Sequence, residues 1–303
     1  MHRKIKIILN PMADMGNAWR VARDLRSITE QHGGVDWSGT VYPGHAIDLA
    51  KHSEGYDMVI AMGGDGTVHE VMNGLMQIPE DKRPILGVVP VGSGNDFGHG
   101  ISASTKPNEA LVRAINGEPS TVDLGLMIDG EGRKEYFDNT LGIGFGATVT
   151  IRSHKLPILR GFLMYLTAVL QTIIIDHNPI KMQIESDGEK WEQSVIYLIL
   201  CNGPREGGGF LIAPDAKIDD GIFHYAMITN VSRLMMLRIV PEVMKGTHGR
   251  FKQVRMGTCK KFTLTADRPL YIHADGEIYS GPGSDLRKVS FEILPNALKV
   301  VRG

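Results

Sequence analysis

The pentapeptide Gly63-Gly64-Asp65-Gly66-Thr67 follows directly on the apolar run Met58–Met62 and precedes a helical pattern that begins at Val68. Strand, glycine turn and helix start therefore coincide, which restricts this part of the chain to a β-turn-α unit. Glycine allows the positive φ angles and the close backbone approach that a side chain would block. The amino end of a helix favours anions. Asp65 adds charge where phosphates and Mg²⁺ would meet, and Thr67 offers a hydroxyl to a phosphate. The segment reads as a nucleotide phosphate loop. Glycine-rich βα turns also recur in unrelated α/β folds, so the pentapeptide alone leaves an ordinary turn open.

The surrounding pattern extends this reading to the first 120 residues or so. Strand-like runs at Ile5–Leu9, Val35–Val41, Met58–Ala61 and Ile85–Val89 alternate with helical stretches around 18–32, 46–53, 68–76 and 108–116. Regular β/α alternation implies an open, largely parallel three-layer sheet, whose ligands bind at the carboxyl ends of the strands. Asn10-Pro11, Asp65 and Ser93 all fall just past predicted strands, so three loops converge on one edge. After Asp123 the texture changes to short alternating strands and glycine turns: 124–128, 134–139, 180–186, 191–201, 221–227, 261–266 and 270–274. Helical stretches at 156–176 and 231–245 interrupt them. The expected organisation is an α/β domain over 1–123, a β-rich, sandwich-like domain over 124–288, and a strand within 289–303 that can return to the first domain. A chain of 303 residues is long enough for two domains.

Composition narrows the function classes. With 33 basic and 34 acidic residues the net charge is -1, which argues against a nucleic-acid partner and against general attraction to anionic membrane. Cys201 and Cys259 are the two cysteines, too few and too far apart for a disulfide framework or zinc spacing. Met1-His2-Arg3-Lys4 runs straight into Ile5–Leu9, leaving no room for a signal peptide's apolar region, so a reducing cytoplasm is the expected compartment. Leu156–Ile175 approaches the length of a membrane span, but Pro157, Arg160, Gly161, Thr167, Gln171 and Thr172 interrupt it. Its apolar residues recur at helical spacing, so a half-buried helix is expected.

Gly92-Ser93-Gly94-Asn95-Asp96 repeats the strand-end and glycine-turn logic one βα unit after GGDGT. It suits a second phosphate or ribose loop, or an Asx turn ahead of a helix. Neither loop fits the P-loop pattern with its lysine, so Mg²⁺ and backbone amides would have to meet the charge of a transferred phosphate. Gly142, Gly144 and Ala147 satisfy GxGxxA without the acidic residue a dinucleotide site needs, and read as a close-packed turn. His69-Glu70 begins like a zinc-protease helix, but Asn73 stands where the second histidine is required.

Taken together these motifs resemble the lipid kinase family of diacylglycerol and sphingosine kinases, including bacterial soluble diacylglycerol kinases and YegS-like proteins, within the NAD kinase superfamily. The likeness spans nearly the whole chain. It rests on Asn10-Pro11, GGDGTVHEV at 63–71, PVGSGNDF at 90–97, and Asn139 with Gly142-Ile143-Gly144. Further on it includes Gly207-Gly208-Gly209, Ala213-Pro214, Ala216, Asp220-Gly221 and Asp275-Gly276-Glu277.

The resemblance implies ATP and Mg²⁺ as cofactors and a nucleotide lying between the two domains. It assigns nucleotide contacts to Asn10, Thr40, Gly63, Gly64, Asp65, Gly66, Thr67, Val68, His69, Ser93 and Asn95. Glu277 becomes the general base that deprotonates a lipid hydroxyl, with Asp65 organising Mg-ATP or sharing that role. Lys217, Asp220 and Ile222 match a structural Mg²⁺ site of one carboxylate and backbone carbonyls, although Asp219-Asp220-Gly221 alone reads as a hairpin turn. The chain departs from the pattern at Met12-Ala13-Asp14-Met15-Gly16, which lacks a glycine of the family's NPxSGxG, and at His69, where asparagine is frequent.

The leading expectation is an ATP-dependent kinase acting on a lipid hydroxyl, as in diacylglycerol kinases. An NAD-kinase-like enzyme with a soluble substrate and a non-catalytic nucleotide- or lipid-binding protein are the alternatives. Expected partners are the lipid, a transient peripheral contact at the inner face of the membrane, and no nucleic acid; a homodimer stays open. The apolar stretches 156–175 and 234–244 are candidate routes for the lipid, and both also suit an ordinary core.

Overall fold

The computed structural model describes residues 3–156, 159 and 161–303. Met1, His2, Pro157 and Arg160, which entered the sequence reading, lie outside the described residues. The chain divides into two units: residues up to Asp123 together with Asn296–Gly303, and Leu124–Pro295.

The first unit contains β1 (Ile5–Leu9), α1 (Asn17–Gln31), β2 (Asp36–Gly39), α2 (His45–Lys51), β3 (Met58–Gly63), α3 (Asp65–Leu75), β4 (Ile85–Pro90), α4 (Asp96–Gly100) and α5 (Pro107–Asn116), and the start of β5 (Pro119–Asp129). β1 to β4 pair in parallel in the order β4-β3-β1-β2, and Val300 near the chain's end pairs in parallel with Leu86. Alternation decides which side chain meets which helix. Ile5, Ile7 and Leu9 enter a core with Ala18 and Leu25 of α1 and Leu111 of α5. Between them Lys6 points to the opposite face, where its amine donates to the Leu49 carbonyl of α2 at 2.7 Å. Burial lowers the pKa of that amine. Helices thus cover both faces, which is why β3 is apolar along its whole length.

The second unit continues with β6 (Lys134–Phe137), β7 (Thr140–Gly144), α6 (Phe145–Ser153), α7 (Gly161–Ile175), β8 (Ile180–Ser186), β9 (Glu189–Cys201), β10 (Phe223–Thr229), α8 (Arg233–Met244), β11 (Val254–Cys259), β12 (Lys261–Ala266), β13 (Ile272–Ala274), β14 (Glu277–Ser280) and the first part of β15 (Lys288–Val301), whose residues from Asn296 on belong to the first unit. Pairing among these strands is antiparallel, and β9 lies against β7, β8 and β10. Leu198 and Leu200 of β9 face a core with Phe223, Phe262 and Leu264. Ile199 and Cys201 face the other way, into a core formed with α6, α7 and α8. β8 shows strict alternation of buried and exposed residues.

The α/β and β-rich textures expected from sequence are both present. Five of these elements were not anticipated: α4, α6, β7, β11 and β14. The 142–147 stretch is the end of β7 and the first turn of α6, with Gly144 at φ +80°. Its close packing is real. A Cβ on Gly142 would stand 2.1 Å from His273 Nε2, and one on Gly146 would stand 2.4 Å from the Tyr197 ring. Asp219-Asp220-Gly221 lies at the end of the long 202–222 connection between the paired strands β9 and β10, so it is not the tight hairpin turn its composition suggests. Among the described residues no helix is long and apolar enough to cross a membrane.

Candidate active site

Parallel pairing brings the carboxyl ends of β1, β2, β3 and β4 to one edge of the first unit. Asn10, Thr40, residues 63–67 and residues 91–95 stand there, as the alternation implies. Thr40 donates its N–H to the Leu9 carbonyl at 2.8 Å, and Asn10 donates to the Met62 carbonyl at 3.0 Å. The Asn10 side-chain oxygen accepts the Met12 N–H. Beyond it Asp14, Met15 and Gly16 all have positive φ, a run that β-carbon sterics normally disfavour. This is the segment that departs from the family pattern.

GGDGT and GSGND pack against each other backbone to backbone. A Cβ on Gly92 would approach the Gly64 Cα to 2.5 Å, and one on Gly94 would approach Asp65 Oδ2 to 2.7 Å. At Gly92 the neighbour is backbone and cannot yield, so that contact rather than a turn angle requires glycine; at Gly94 the neighbour is the end of the Asp65 side chain. Asn95 shapes the second loop: its Oδ1 accepts the Gly92 N–H at 3.0 Å and its Nδ2 donates to the Gly92 carbonyl at 2.8 Å. The side chain is committed to the loop, while Ser93 stays exposed.

Asp65 is the first residue of α3 and is half-buried, with Gly64 as the cap. The following side chains turn inward. Thr67, Val68 and His69 are buried, and Thr67 folds back over Gly63, whose Cβ would lie 2.3 Å from Thr67 Oγ1. His69 Nε2 sits 3.3 Å from Asn73 Nδ2 in the helix interior. Glu70, the other half of the abortive zinc signature, accepts the N–H groups of Gly44 and Ala46 and so caps α2. Nothing local in the sequence announces that role, because the cap and the helix it serves belong to different segments.

In the second unit, Asp275 and Gly276 form the two-residue turn between β13 and β14, with φ +50° and +83°. Positive φ at both central residues is the type I′ geometry for which Asp-Gly is suited. The Asp275 carboxylate accepts the N–H groups of Asp138, Asn139 and Thr140, each at 3.0 Å. Glu277, the next residue, is exposed. Asn202 and Asn139 complete the frame, with Asn202 Nδ2 donating to the Asp138 carbonyl and Asn139 Nδ2 to the Arg205 carbonyl.

At the expected metal position, Asp220 Oδ1 accepts the Ile222 N–H at 3.2 Å and Oδ2 lies 3.1 Å from His224 Nε2. Among the described residues no cluster of three or more His, Cys, Asp or Glu could hold a metal. A hard cation here would depend on this one carboxylate plus peptide carbonyls, a donor set of the right chemical type. Cys201 and Cys259 are buried thiols, both pushed up in pKa by burial, Cys259 to about 12.

The chain thus joins a parallel α/β unit, with two packed glycine loops at its carboxyl edge, to a β-sandwich-like unit, and each half matches a known family. Residues 4–127 match the diacylglycerol kinase catalytic domain, and residues 139–302 match the YegS C-terminal NAD kinase beta sandwich-like domain. A Chromohalobacter salexigens protein named "Probable lipid kinase YegS-like" is 36% identical over 67% of this chain and 63% of its own length. The Yersinia pestis protein of the same name is 32% identical over 80% of this chain and 77% of its own. The chain belongs to the YegS-like lipid kinase family. Two solved chains from Bacillus anthracis str. Sterne share the fold, each covering 99% of this chain and 97% of their own. One has a TM-score of 0.79 at 20% identity; the other, a diacylglycerol kinase, has 0.72 at 18%.

Proposed function

We propose that this chain transfers the γ-phosphate of ATP to the hydroxyl of a lipid. The observation that carries the reading is the backbone contact between GGDGT and GSGND, which leaves a glycine-lined edge beside the amino end of α3. Phosphates approach such an edge without side-chain obstruction, and the helix end favours their charge. In this reading the lipid hydroxyl oxygen attacks the γ-phosphorus, ADP leaves, and the hydroxyl proton passes to the Glu277 carboxylate. Asp65 orients Mg-ATP, and the metal supplies charge neutralisation on the transferred phosphoryl group. Asp220, with the carbonyls of Lys217 and Ile222, would hold a second, structural Mg²⁺.

Lipid as acceptor is supported by membership of the YegS-like family and by the exposed apolar residues of α7 and α8, among them Leu163, Ile174 and Leu234. A transient, peripheral contact with a bilayer follows from the substrate, since the described helices do not span one. The test is transfer of labelled γ-phosphate from ATP to a panel of lipids and to NAD, beside Asp65→Ala and Glu277→Ala. Label in a lipid that depends on both carboxylates supports the reading. Label in NAD with none in any lipid overturns it.

A further inference from the structure

The loops that follow β1 and β2 present apolar side chains to solvent beside the glycine loops. Met12 and Met15 are 73% and 69% exposed, and Val41 and Tyr42 are 79% and 52% exposed. In the strand order β4-β3-β1-β2 these two loops stand one and two strand spacings, about 5 and 10 Å, from the loop after β3 that carries GGDGT. A nucleotide with its phosphates on the glycine loops therefore has its base within reach of them.

The loop after β2 is held at several points. Glu70 of α3 accepts the Gly44 N–H at 2.8 Å and the Ala46 N–H at 3.1 Å, so the helix that follows GGDGT fixes the segment carrying Tyr42. His45 Nδ1 accepts the Val41 N–H at 3.2 Å, and its ring stacks on Tyr42 with centroids 4.5 Å apart. The Tyr42 hydroxyl donates to Asp48 at 3.1 Å. The phenol ring is set in place before any ligand arrives, which lowers the cost of stacking against it.

Amides and carboxylates tell one base from another because their donors and acceptors point in fixed directions. Here they are engaged in shaping the loops. Asn10 Oδ1 accepts the Met12 N–H, Asn17 Nδ2 donates to Asp14, and Asn95 is bonded at both ends to Gly92. The Thr40 and Ser93 hydroxyls can each donate or accept, so they suit any base. Aromatic stacking and thioether contact are equally tolerant, since every base has a π-face and methionine adapts its shape.

We infer that Tyr42, with Met12 and Met15, holds the base of a nucleoside triphosphate by stacking and apolar contact, so that the site takes GTP as well as ATP. That a triphosphate lies at this edge rests on the reading proposed above; how its base is held follows from the side chains. Residues 12–16 are also where the chain departs from the family pattern, so the tolerance belongs to this sequence rather than to the family.

The test is titration calorimetry of the full chain with the Mg²⁺ complexes of ATP, GTP and tripolyphosphate, the last having no base. GTP should bind within about a hundredfold of ATP, whereas a site built to hydrogen-bond one base would separate them by on the order of 10⁴-fold. Tyr42→Ala should weaken ATP and GTP roughly 5- to 150-fold, the usual loss of a stacked ring, and tripolyphosphate less than about twofold. Tyr42→Phe, which keeps the ring, should retain most of the affinity. Met12→Ala combined with Met15→Ala probes the other loop and should show the same contrast at about threefold or more. Melting temperature reports folding, and if Tyr42→Ala unfolds the methionine pair decides by that contrast. A preference for ATP beyond about a hundredfold overturns the inference, as does a Tyr42→Ala loss below about fivefold or one shared by tripolyphosphate. Transfer of labelled γ-phosphate to lipid separates it from the kinase reading. Transfer from ATP with GTP excluded keeps the kinase and removes the inference; base-tolerant binding without transfer to any lipid does the reverse, and binding of neither nucleotide removes both.

Discussion

Asp275 holds Thr140 from both sides: its Oδ1 accepts the Thr140 N–H at 3.0 Å, and its own N–H donates to the Thr140 carbonyl at 2.8 Å. With the N–H groups of Asp138 and Asn139 also on this carboxylate, the turn that presents Glu277 is anchored to the start of β7. Asp275→Ala leaves three backbone donors without their acceptor, each worth roughly 1–3 kcal/mol when buried. We expect a loss of at least about 3 kcal/mol in urea unfolding, which a variant as stable as the wild type would contradict.

Glu277 makes a separable prediction because it is exposed and lies outside that anchor. Glu277→Gln should leave melting and ATP affinity unchanged while lowering kcat about 10²- to 10⁴-fold, the usual span for loss of a general base. Single-turnover phosphate transfer measures this. A fall in kcat of less than about tenfold would remove Glu277 from the role.

Gly92 is constrained by its neighbour's backbone rather than by its own φ. Gly92→Ala drives a methyl toward the Gly64 Cα, which has no flexible end to yield. The two loops must separate, at a cost of about 1–3 kcal/mol. ATP affinity should drop at least tenfold, whereas Gly130→Ala, whose methyl would meet nothing closer than the Lys288 carbonyl at 3.6 Å, should leave it intact.

Asp129 carries a pH dependence of defined sign. Burial opposes its ionisation, but hydrogen bonds from Tyr279, Arg133 and the backbone of Glu131 prevail and hold its pKa at about 2, below the ordinary 3.8. A folded pKa below the unfolded one contributes stability above the unfolded value, and that contribution is lost as pH falls through the folded value. Asp129→Asn should therefore be less stable than wild type at pH 7, with the gap closing between about pH 4 and pH 2. Urea titrations at pH 7, 4 and 3 read it directly.

Asp220 tests the structural cation. If Mg²⁺ binds there, millimolar Mg²⁺ should raise the wild-type melting temperature relative to EDTA, and Asp220→Ala should lose that increment. An increment retained in Asp220→Ala would place the stabilising cation elsewhere.

Much of the first unit was legible because its signals are local. A strand followed by two glycines and a helix start is defined within about a dozen residues, and parallel α/β sheets gather their loops at one edge. Asn10, Asp65 and Ser93 accordingly share one edge on the sequence pattern alone, and Thr40 joins them there through the family resemblance. The side chains within those loops were less legible. Thr67 suggested a phosphate contact by its hydroxyl and the resemblance assigned His69 and Asn95 to the nucleotide; the first two are buried, and Asn95 hydrogen-bonds within its own loop. α4 was too short to show a helical period, and α6 was masked by the glycines at the end of β7.

Unaided, the chain's order of residues determined the type and succession of most elements, the glycine turns at GGDGT and GSGND, and the Asp-Gly turn before Glu277. Those depend on φ demands and periodicity among near neighbours. Tertiary structure alone decided that Gly92 packs on the Gly64 backbone, that Asp275 anchors β7, and that Glu206 meets His273. Each of these is a contact between segments remote in sequence, and close packing of whole elements selects such contacts only when the chain has folded.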